Sequence, residues 1–328
     1  MTEAGIQTMI FLLMGCTRTD VLSLVPTVLK MNASLADPSR DSLALAVTKN
    51  VIVVVLGFTV GYVNATFVYT FCKHQVFYTS PRYILFIHLV VNDMLQVYLS
   101  IALFLISYTL YKINVSFCCT LVLLALFTTE NTPLNLACMA VECYIAICLP
   151  LHHVRICTVR RTLVLISLIW ATSLLSILPD LFLTLATQPT AFFSTSIFCL
   201  RTTVFPHPLI ILKRDVTYSV LLVIVWVTLF YSYFMILFTA KSASRDTRKA
   251  RNTIFLHGFQ LLLCMTTYAA PQLSKLLRFW FPRHSSHILF CAYIVVYILP
   301  RSISPIVYGL RDKTFRRHLL GHLLCRIK

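Results

Sequence analysis

The chain has 328 residues, of which 58% are hydrophobic and only 12% are charged, against about 25% charged in an ordinary soluble domain. So few charges could not cover the apolar surface of a soluble protein of this size, which excludes that class. The charges are also unbalanced, with 28 Lys and Arg against 11 Asp and Glu. This excess fits either a nucleic-acid-binding protein or a membrane protein with basic loops on one side, and the positions of the charges decide between them.

Seven segments are long and apolar enough to cross a bilayer, because a hydrocarbon core of roughly 30 Å needs about 20 helical residues. These segments are Val51–Phe71, Tyr83–Tyr108, Cys118–Cys148, Thr162–Ala186, Val216–Ala240, Asn252–Leu277 and Ile288–Leu310. The bilayer interior cannot hydrogen-bond to the backbone, so each span is expected to be an α-helix. We therefore predict an all-α membrane protein with a seven-transmembrane helix bundle at 51–310.

The basic residues predict which side of the membrane each end of the chain occupies, because cytoplasmic loops carry the excess of Lys and Arg. With the N-terminus outside, the cytoplasmic segments hold most of these residues, including those from Lys241 to Arg251 and those in the tail. Nucleic-acid binding does not require this alternation with apolar spans, so we expect no nucleic-acid partner. We expect a multi-pass protein of the plasma membrane whose basic loops also contact membrane lipid.

Residues 1–50 form an extracellular N-terminal segment in this orientation. Asn32, in the triplet Asn32-Ala33-Ser34, is an acceptor for N-glycosylation. The triplet directly follows Met31, and a start at Met31 would leave a short glycosylated N-terminus. Residues 1–30 are therefore interpreted as an extended gene model or a disordered leader rather than as a functional segment.

Residues 311–328 form the cytoplasmic tail. Phe315, Leu319 and Leu323 recur at every fourth position, with basic residues beside them. This spacing predicts a short amphipathic helix that lies on the inner leaflet after the seventh span. Cys325, at the end of that helix, is a candidate for palmitoylation.

Ionisable residues within the spans are costly in lipid, so each needs a structural or functional reason. Asp93 in the second span is either a hydrogen-bonded packing residue or part of a site for an ion or water between helices, and we favour the second. Its expected partners are Asn64, Thr132 and Ser304. A sodium ion at Asp93 is the one cofactor that we consider, and we expect no other.

Glu130 in the third span either lines a ligand cavity or bonds a neighbouring helix, and the sequence does not choose between the two. Arg301 in the seventh span is expected to pair with Glu130 or with Asp93. The sequence contains no zinc-type Cys/His spacing, no phosphate-binding glycine loop and no hydrolase motif. We therefore do not expect an enzyme.

The cysteines that face the extracellular side predict one disulfide bridge, because the cytosol is reducing. Cys118 and Cys119 lie at the start of the third span, and Cys199 lies in the long loop between the fourth and fifth spans. The simplest assignment is a single bridge from Cys199 to Cys118 or Cys119.

Four short patterns of the sequence are informative together. They are the run Met139–Leu151 at the end of the third span, Ser232–Tyr233 in the fifth, Lys249–His257 at the start of the sixth and Pro300–Tyr308 in the seventh. Each resembles a hallmark of the odorant receptors, a family of rhodopsin-like G-protein-coupled receptors. The resemblance covers most of the chain and points to the fish-type branch.

The resemblance implies a receptor that detects a small-molecule odorant and signals through a heterotrimeric G protein of the stimulatory, cyclic-AMP-raising class. It also implies that Cys199 is bridged to Cys118 rather than to Cys119. The residues expected to line a mostly apolar ligand pocket are Ala125, Leu126, Thr129 and Glu130. The alternatives are a rhodopsin-like receptor for a non-odorant ligand and a multi-span transporter or channel.

The resemblance further implies a set of residues for G-protein coupling and activation. These residues are Glu142, Cys143, Tyr144, Tyr233, Lys249, His257, Pro305 and Tyr308. Cys143 stands where the family has an arginine, which pairs with the neighbouring acid at rest and contacts the G protein when the receptor is active. Glu142 is therefore expected to lose its partner, and we interpret the change as altered coupling rather than weak signalling. Ser304 also replaces the usual asparagine, which weakens the expected link to Asp93.

Overall fold

A computed structural model describes residues 43–110, 112–242, 285–311 and 314–319, together with single helical positions at 259, 273, 276, 277 and 280. The chain divides into two compact units, Met1–Leu45 and Ala46–Lys328. The contacts described below lie within the second unit.

Long helices joined by short connections account for nearly all of the described residues. In chain order the elements are α1 (Leu43–Lys73), a 3-10 turn (Gln75–Phe77), α2 (Pro81–Thr109), β1 (Ile113–Asn114), α3 (Val115–Cys148), α4 (Pro150–Ile156), α5 (Val159–Thr187), α6 (Thr190–Phe193), β2 (Ser196–Ile197), α7 (Arg201–Val204), α8 (Pro208–Ser242), α9 (Ser285–Tyr293), a π-helical turn (Ile294–Ile298) and α10 (Leu299–Arg311). Residues 314–319 are also helical.

Within the described ranges, five helices, α1, α2, α3, α5 and α8, are long and apolar enough to cross a membrane. They correspond to the first five predicted spans, and the seventh is formed by α9, the π-helical turn and α10. The sixth predicted span, Asn252–Leu277, lies almost entirely outside the described residues. All of these helices begin earlier than predicted, and the difference is largest for α1, which starts at Leu43, and for α8, which starts at Pro208.

Local sequence signals explain where three of the helices begin. Pro81 occupies the first turn of α2, where its missing N–H costs nothing. The Asn114 side chain accepts a hydrogen bond from the Ser116 N–H at the start of α3. The Thr158 side chain likewise accepts from the Arg161 N–H at the start of α5. The Asn114 and Thr158 side chains thus each accept a hydrogen bond from a backbone N–H group that has no partner within the first turn of its helix.

Helix α3 is the centre of the described bundle, since its contacts with α2, α8 and α5 are the most extensive between elements. At one end of the bundle, the Phe315 ring packs on Phe67, Phe77 and Phe86, with ring centroids 5.1–5.7 Å away. Gly309 lets α10 approach this cluster, because a Cβ atom there would collide with the Phe67 ring. The turn at 314–319 is thus anchored to the bundle by an aromatic cluster.

A disulfide joins Cys118 to Cys199 with their Cα atoms 5.7 Å apart, and this is the pair that the resemblance implies. It ties the segment between α5 and α8 to the start of α3. The antiparallel pair β1–β2, with Ile113 opposite Ile197, also joins this segment to the residues that directly precede α3. Both bridged cysteines are buried among apolar side chains that include Val122.

The disulfide can be tested by comparing neighbouring cysteines. We expect Cys118→Ala and Cys199→Ala each to abolish most surface expression, because losing a native bridge costs about 2–5 kcal/mol of folding free energy. Cys119→Ala is the matched control, since Cys119 is buried beside Cys118 but is not bridged. Surface labelling of intact cells measures the outcome, and normal labelling of the Cys118 or Cys199 variant would contradict the structural role of the bridge.

Candidate functional site

Six charged or polar side chains from α3, α5, α7 and α8 form a group that we call the polar cluster. Its members are Glu130, Ser176, Asp180, Arg201, Lys213 and Tyr218. Asp180 is buried, and its Oδ1 atom accepts a hydrogen bond from Lys213 Nζ at 2.5 Å. Lys213 also donates to the Ser176 carbonyl. The Lys213 charge is therefore well compensated by a carboxylate and a carbonyl oxygen.

Arg201 approaches the same carboxylate from the other side, with its Nη2 atom 3.7 Å from Asp180 Oδ2. Its guanidinium lies against the Tyr218 ring at 6.0 Å and donates a long hydrogen bond of 3.4 Å to the Tyr218 hydroxyl. Burial lowers the pKa of the Arg201 guanidinium, although Tyr218 and Asp180 act in the opposite direction. Arginine nevertheless stays protonated in proteins, so Arg201 is a poorly hydrated cation.

The four predicted pocket residues lie on two different stripes of α3. Thr129 is directed towards α2, where its hydroxyl accepts a hydrogen bond of 2.5 Å from Gln96 Nε2. Glu130 is directed towards α5 and accepts a hydrogen bond of 3.2 Å from the Ser176 hydroxyl. Leu126 packs against the apolar cluster around the disulfide, and Ala125 provides the carbonyl that accepts from Thr129. Of the four, Glu130 is the one that belongs to the polar cluster.

Asp93 lies in a network of buried polar side chains between α2 and α3. Its Oδ1 atom accepts a hydrogen bond of 3.4 Å from the Thr132 hydroxyl, which in turn accepts one from Asn92 Nδ2 at 3.0 Å. Asn131 continues the network by accepting a hydrogen bond of 2.6 Å from the Ser173 hydroxyl of α5. The structure thus brings Asp93 and Thr132 together, as the proposed ion or water site requires.

The other expected partners of Asp93 behave differently. Asn64 is fully buried, yet within the described part of the chain neither of its amide atoms has a hydrogen-bond partner. Ser304 belongs to α10, but its side chain lies outside the described residues. Two partnerless amide atoms near the bundle core suit a water molecule better than they suit a cation, because an amide nitrogen can only donate.

Arg301 is held by α2 and by its own helix. Its guanidinium donates to Gln96 Oε1 and to the Tyr297 carbonyl, and its charge acts on Asp93. Of the two carboxylates considered as partners of Arg301, Asp93 is the one on which its charge acts. The Arg301 charge acts on Asp93 and opposes a second cation beside this carboxylate, so we assign a sodium ion no role.

Near the end of α3, Glu142 lacks the arginine of the family, because Cys143 stands in its place, but it has a different partner that the sequence analysis did not identify. Its Oε1 atom lies 3.1 Å from Nε2 of His153, which is carried by the short helix α4. The side chains are 10% and 27% exposed, respectively. The sequence contained His153, but only the fold of the α3–α4 connection brings it back towards Glu142.

The remaining coupling residues are only partly described. Cys143 is buried, Tyr144 lies near Tyr231 of α8 with ring centroids 5.8 Å apart, and Tyr233 packs on its neighbour Phe234. Pro305 is buried within α10. Four further predicted residues lie outside the described residues: Asn32, Lys249, His257 and Cys325. The backbone of Tyr308 is described, but its side chain is not.

Sequence reasoning missed Asp180, Arg201, Lys213 and His153 as site residues. Lys213 precedes Val216, where the fifth span was predicted to begin, whereas α8 already begins at Pro208. The signal that could have identified Lys213 is Asp180, since an acid near the end of a span needs a cation within reach.

The ion pair in the polar cluster predicts a difference between two aspartates. We expect Asp180→Asn to lower the free energy of unfolding by about 2 kcal/mol or more. This is less than for a fully buried pair, since Lys213 is 32% exposed. Asp215→Asn is the matched control, because Asp215 is 52% exposed and pairs with Arg214 at the surface, where such pairs contribute about 0–1 kcal/mol. Thermal unfolding of the purified protein measures both, and equal effects would contradict the structural role of Asp180.

Comparison with known proteins agrees with this architecture. The sequence pattern of the family described as 7 transmembrane receptor (rhodopsin family) matches residues 63–308. The chain is also 31% identical over 278 residues to Odorant receptor 131-2 of Danio rerio, covering 81% of this chain and 83% of the relative. These matches indicate a receptor rather than an enzyme, a transporter or a channel. The chain belongs to the rhodopsin family of seven-transmembrane receptors.

Proposed function

We propose that this protein is an odorant receptor that binds a small molecule within its helix bundle and signals through a heterotrimeric G protein. The observation that carries the proposal is its 31% identity, over 81% of the chain, to a relative named as an odorant receptor. The polar cluster supports the proposal, because polar side chains that converge within an apolar bundle can fix the orientation of a ligand. Glu130 connects this cluster to the predicted pocket on α3.

The topology that we propose places the N-terminus outside and the tail inside, in the plasma membrane. The support comes from the basic residues of the cytoplasmic loops and from the Cys118–Cys199 bridge, which requires an oxidising side. In this arrangement Asn32 is available for glycosylation, and Cys325 is available for palmitoylation beside the inner leaflet. The G protein that we propose is of the stimulatory class, which raises cyclic AMP.

A cell assay with the full chain tests the proposal. We expect at least one compound from a panel of volatile odorants and amino acids to raise cyclic AMP, because a ligand that favours the active arrangement shifts the receptor towards it. The response should be absent in untransfected cells. It should also be lost with Cys118→Ala but retained with the Cys119→Ala control.

Two results would contradict parts of this proposal. A response to a lipid or peptide with none to the panel would indicate a receptor of the same family for a non-odorant ligand. A ligand response that bypasses cyclic AMP but activates another G-protein class would contradict only the stimulatory assignment.

We also propose that the Glu142–His153 contact replaces the arginine–acid contact of the family as a restraint on the resting receptor. Cys143 has no positive charge with which to hold the acid, whereas His153 lies within hydrogen-bond distance of it. The contact joins the end of α3 to α4, so it restrains the segment that faces the proposed G-protein side. Moving α3 relative to α4 would break the Glu142–His153 contact.

The restraint predicts a rise in ligand-independent signal when His153 is removed. We expect His153→Ala to raise basal cyclic AMP roughly fivefold per receptor at the surface, equivalent to ~1 kcal/mol for a partly buried charge-assisted hydrogen bond. His152→Ala is the matched control, because His152 is the adjacent residue and is exposed. An unchanged basal signal in the His153 variant, or an equal rise in the control, would show that the contact does not restrain the receptor.

A further inference from the structure

Within the polar cluster, one cation and one carboxylate already satisfy each other. Lys213 Nζ lies 2.5 Å from Asp180 Oδ1 and also reaches the Ser176 carbonyl. Because Lys213 makes the shorter contact, Asp180 is only a distant partner for Arg201, at 3.7 Å. The cluster therefore leaves one further cation, Arg201, and one further carboxylate, Glu130, in addition to the satisfied pair.

The Arg201 guanidinium has more donors than its surroundings use. Arginine carries five N–H donors in a rigid fork, yet within the described residues Arg201 makes one hydrogen bond, of 3.4 Å, to Tyr218. Its side chain is only 20% exposed, so bulk water cannot solvate most of it. A planar carboxylate would complete the fork with two short charge-assisted hydrogen bonds.

The Glu130 carboxyl group is in the complementary situation. It is 4% exposed, and its described hydrogen bond comes from the neutral Ser176 hydroxyl at 3.2 Å. Arg201 and Lys213 both act on its charge, but neither is within 4.0 Å of its oxygens to form an ion pair. A ligand cation or strong donor could therefore approach Glu130 without displacing an existing salt bridge.

From this arrangement we infer that the cluster binds a small zwitterion of the α-amino acid class, with the ligand carboxylate on Arg201 and the ligand ammonium group on Glu130. A zwitterion adds no net charge to a cluster that already holds two cations and two carboxylates. A simple acid or a simple amine would leave the cluster with an unbalanced charge in a poorly solvated place. This inference rests on the proposed function and narrows it to a class of ligand.

The ligand side chain faces a different environment from its charged head. Leu126 lies one helical turn from Glu130 on the same stripe of α3, and it packs towards the buried apolar side chains around the disulfide, Val122 and Phe205 among them. An apolar amino-acid side chain would be stabilised there by removal from water. We therefore choose L-leucine, L-methionine and L-phenylalanine as probes.

Binding is best measured without signalling, as thermal stabilisation of the purified full-length receptor. Each amino acid is compared with its amide, which lacks the carboxylate, and with the matching deaminated acid, which lacks the ammonium group. We expect the zwitterion to stabilise the receptor at concentrations at least about tenfold lower than either analogue, since a charge-assisted hydrogen bond contributes a factor of this size or more.

Variants at the two charges should give opposite patterns. Arg201→Gln should weaken binding of the amino acid and the deaminated acid but not that of the amide. Glu130→Gln should weaken binding of the amino acid and the amide but not that of the deaminated acid. Arg214→Gln is the matched control, because Arg214 is a nearby arginine that already pairs with Asp215 at 3.1 Å, and it should bind all three compounds like the wild type.

Three results would overturn the inference. The first is that no amino acid tested stabilises the receptor. The second is that the amino acid and both analogues stabilise it equally. The third is that the Arg201 variant loses binding of all three compounds to the same extent. A purely structural role of Arg201 would produce the last pattern. Failure of the proposed function looks different: the amino acid would bind with the predicted charge pattern, while no G-protein signal would follow in cells.

Discussion

The hydrocarbon interior of a bilayer offers no water to polar groups, and the arrangement of this bundle follows from that constraint. Most of the polar side chains buried between the described helices have a partner on a neighbouring helix, whereas the buried threonines Thr70, Thr162 and Thr184 donate to a backbone carbonyl four residues earlier in the chain. Asp93 has Thr132, Asp180 has Lys213, and Arg301 has Gln96. Since these pairs connect different helices, they also fix how the helices are rotated about their axes. The hydrogen bonds and ion pairs between buried polar groups thereby determine which side chains of neighbouring helices face one another.

The constraint explains why some features could be predicted from the sequence. Five of the seven predicted spans appear as long apolar helices, because length and hydropathy alone decide whether a segment can cross a bilayer. The Cys118–Cys199 disulfide could be predicted from the resemblance to odorant receptors. The burial of Asp93 and Glu130 could also be predicted, because both lie well inside apolar runs.

Partner identity could not be predicted, because it depends on helix rotation and on where each helix ends. Thr129 and Glu130 are adjacent in sequence, yet one bonds to α2 and the other to α5. Lys213 was assigned to a loop, whereas the start of α8 at Pro208 places it within a helix and beside Asp180. His153 approaches Glu142 only because the chain turns back into α4 after α3.

The two acidic residues of α3 differ in how completely their charges are satisfied, and this difference suggests how a ligand could act. Glu142 holds His153 at 3.1 Å, while Glu130 has only a neutral donor within the described residues. A ligand can shift a receptor only through interactions that differ between its two states. A new ion pair at Glu130 would supply such a difference in the middle of α3, and the Glu142–His153 contact near the end of the same helix would oppose the shift. The balance between the two acidic residues of α3 would then set the resting activity.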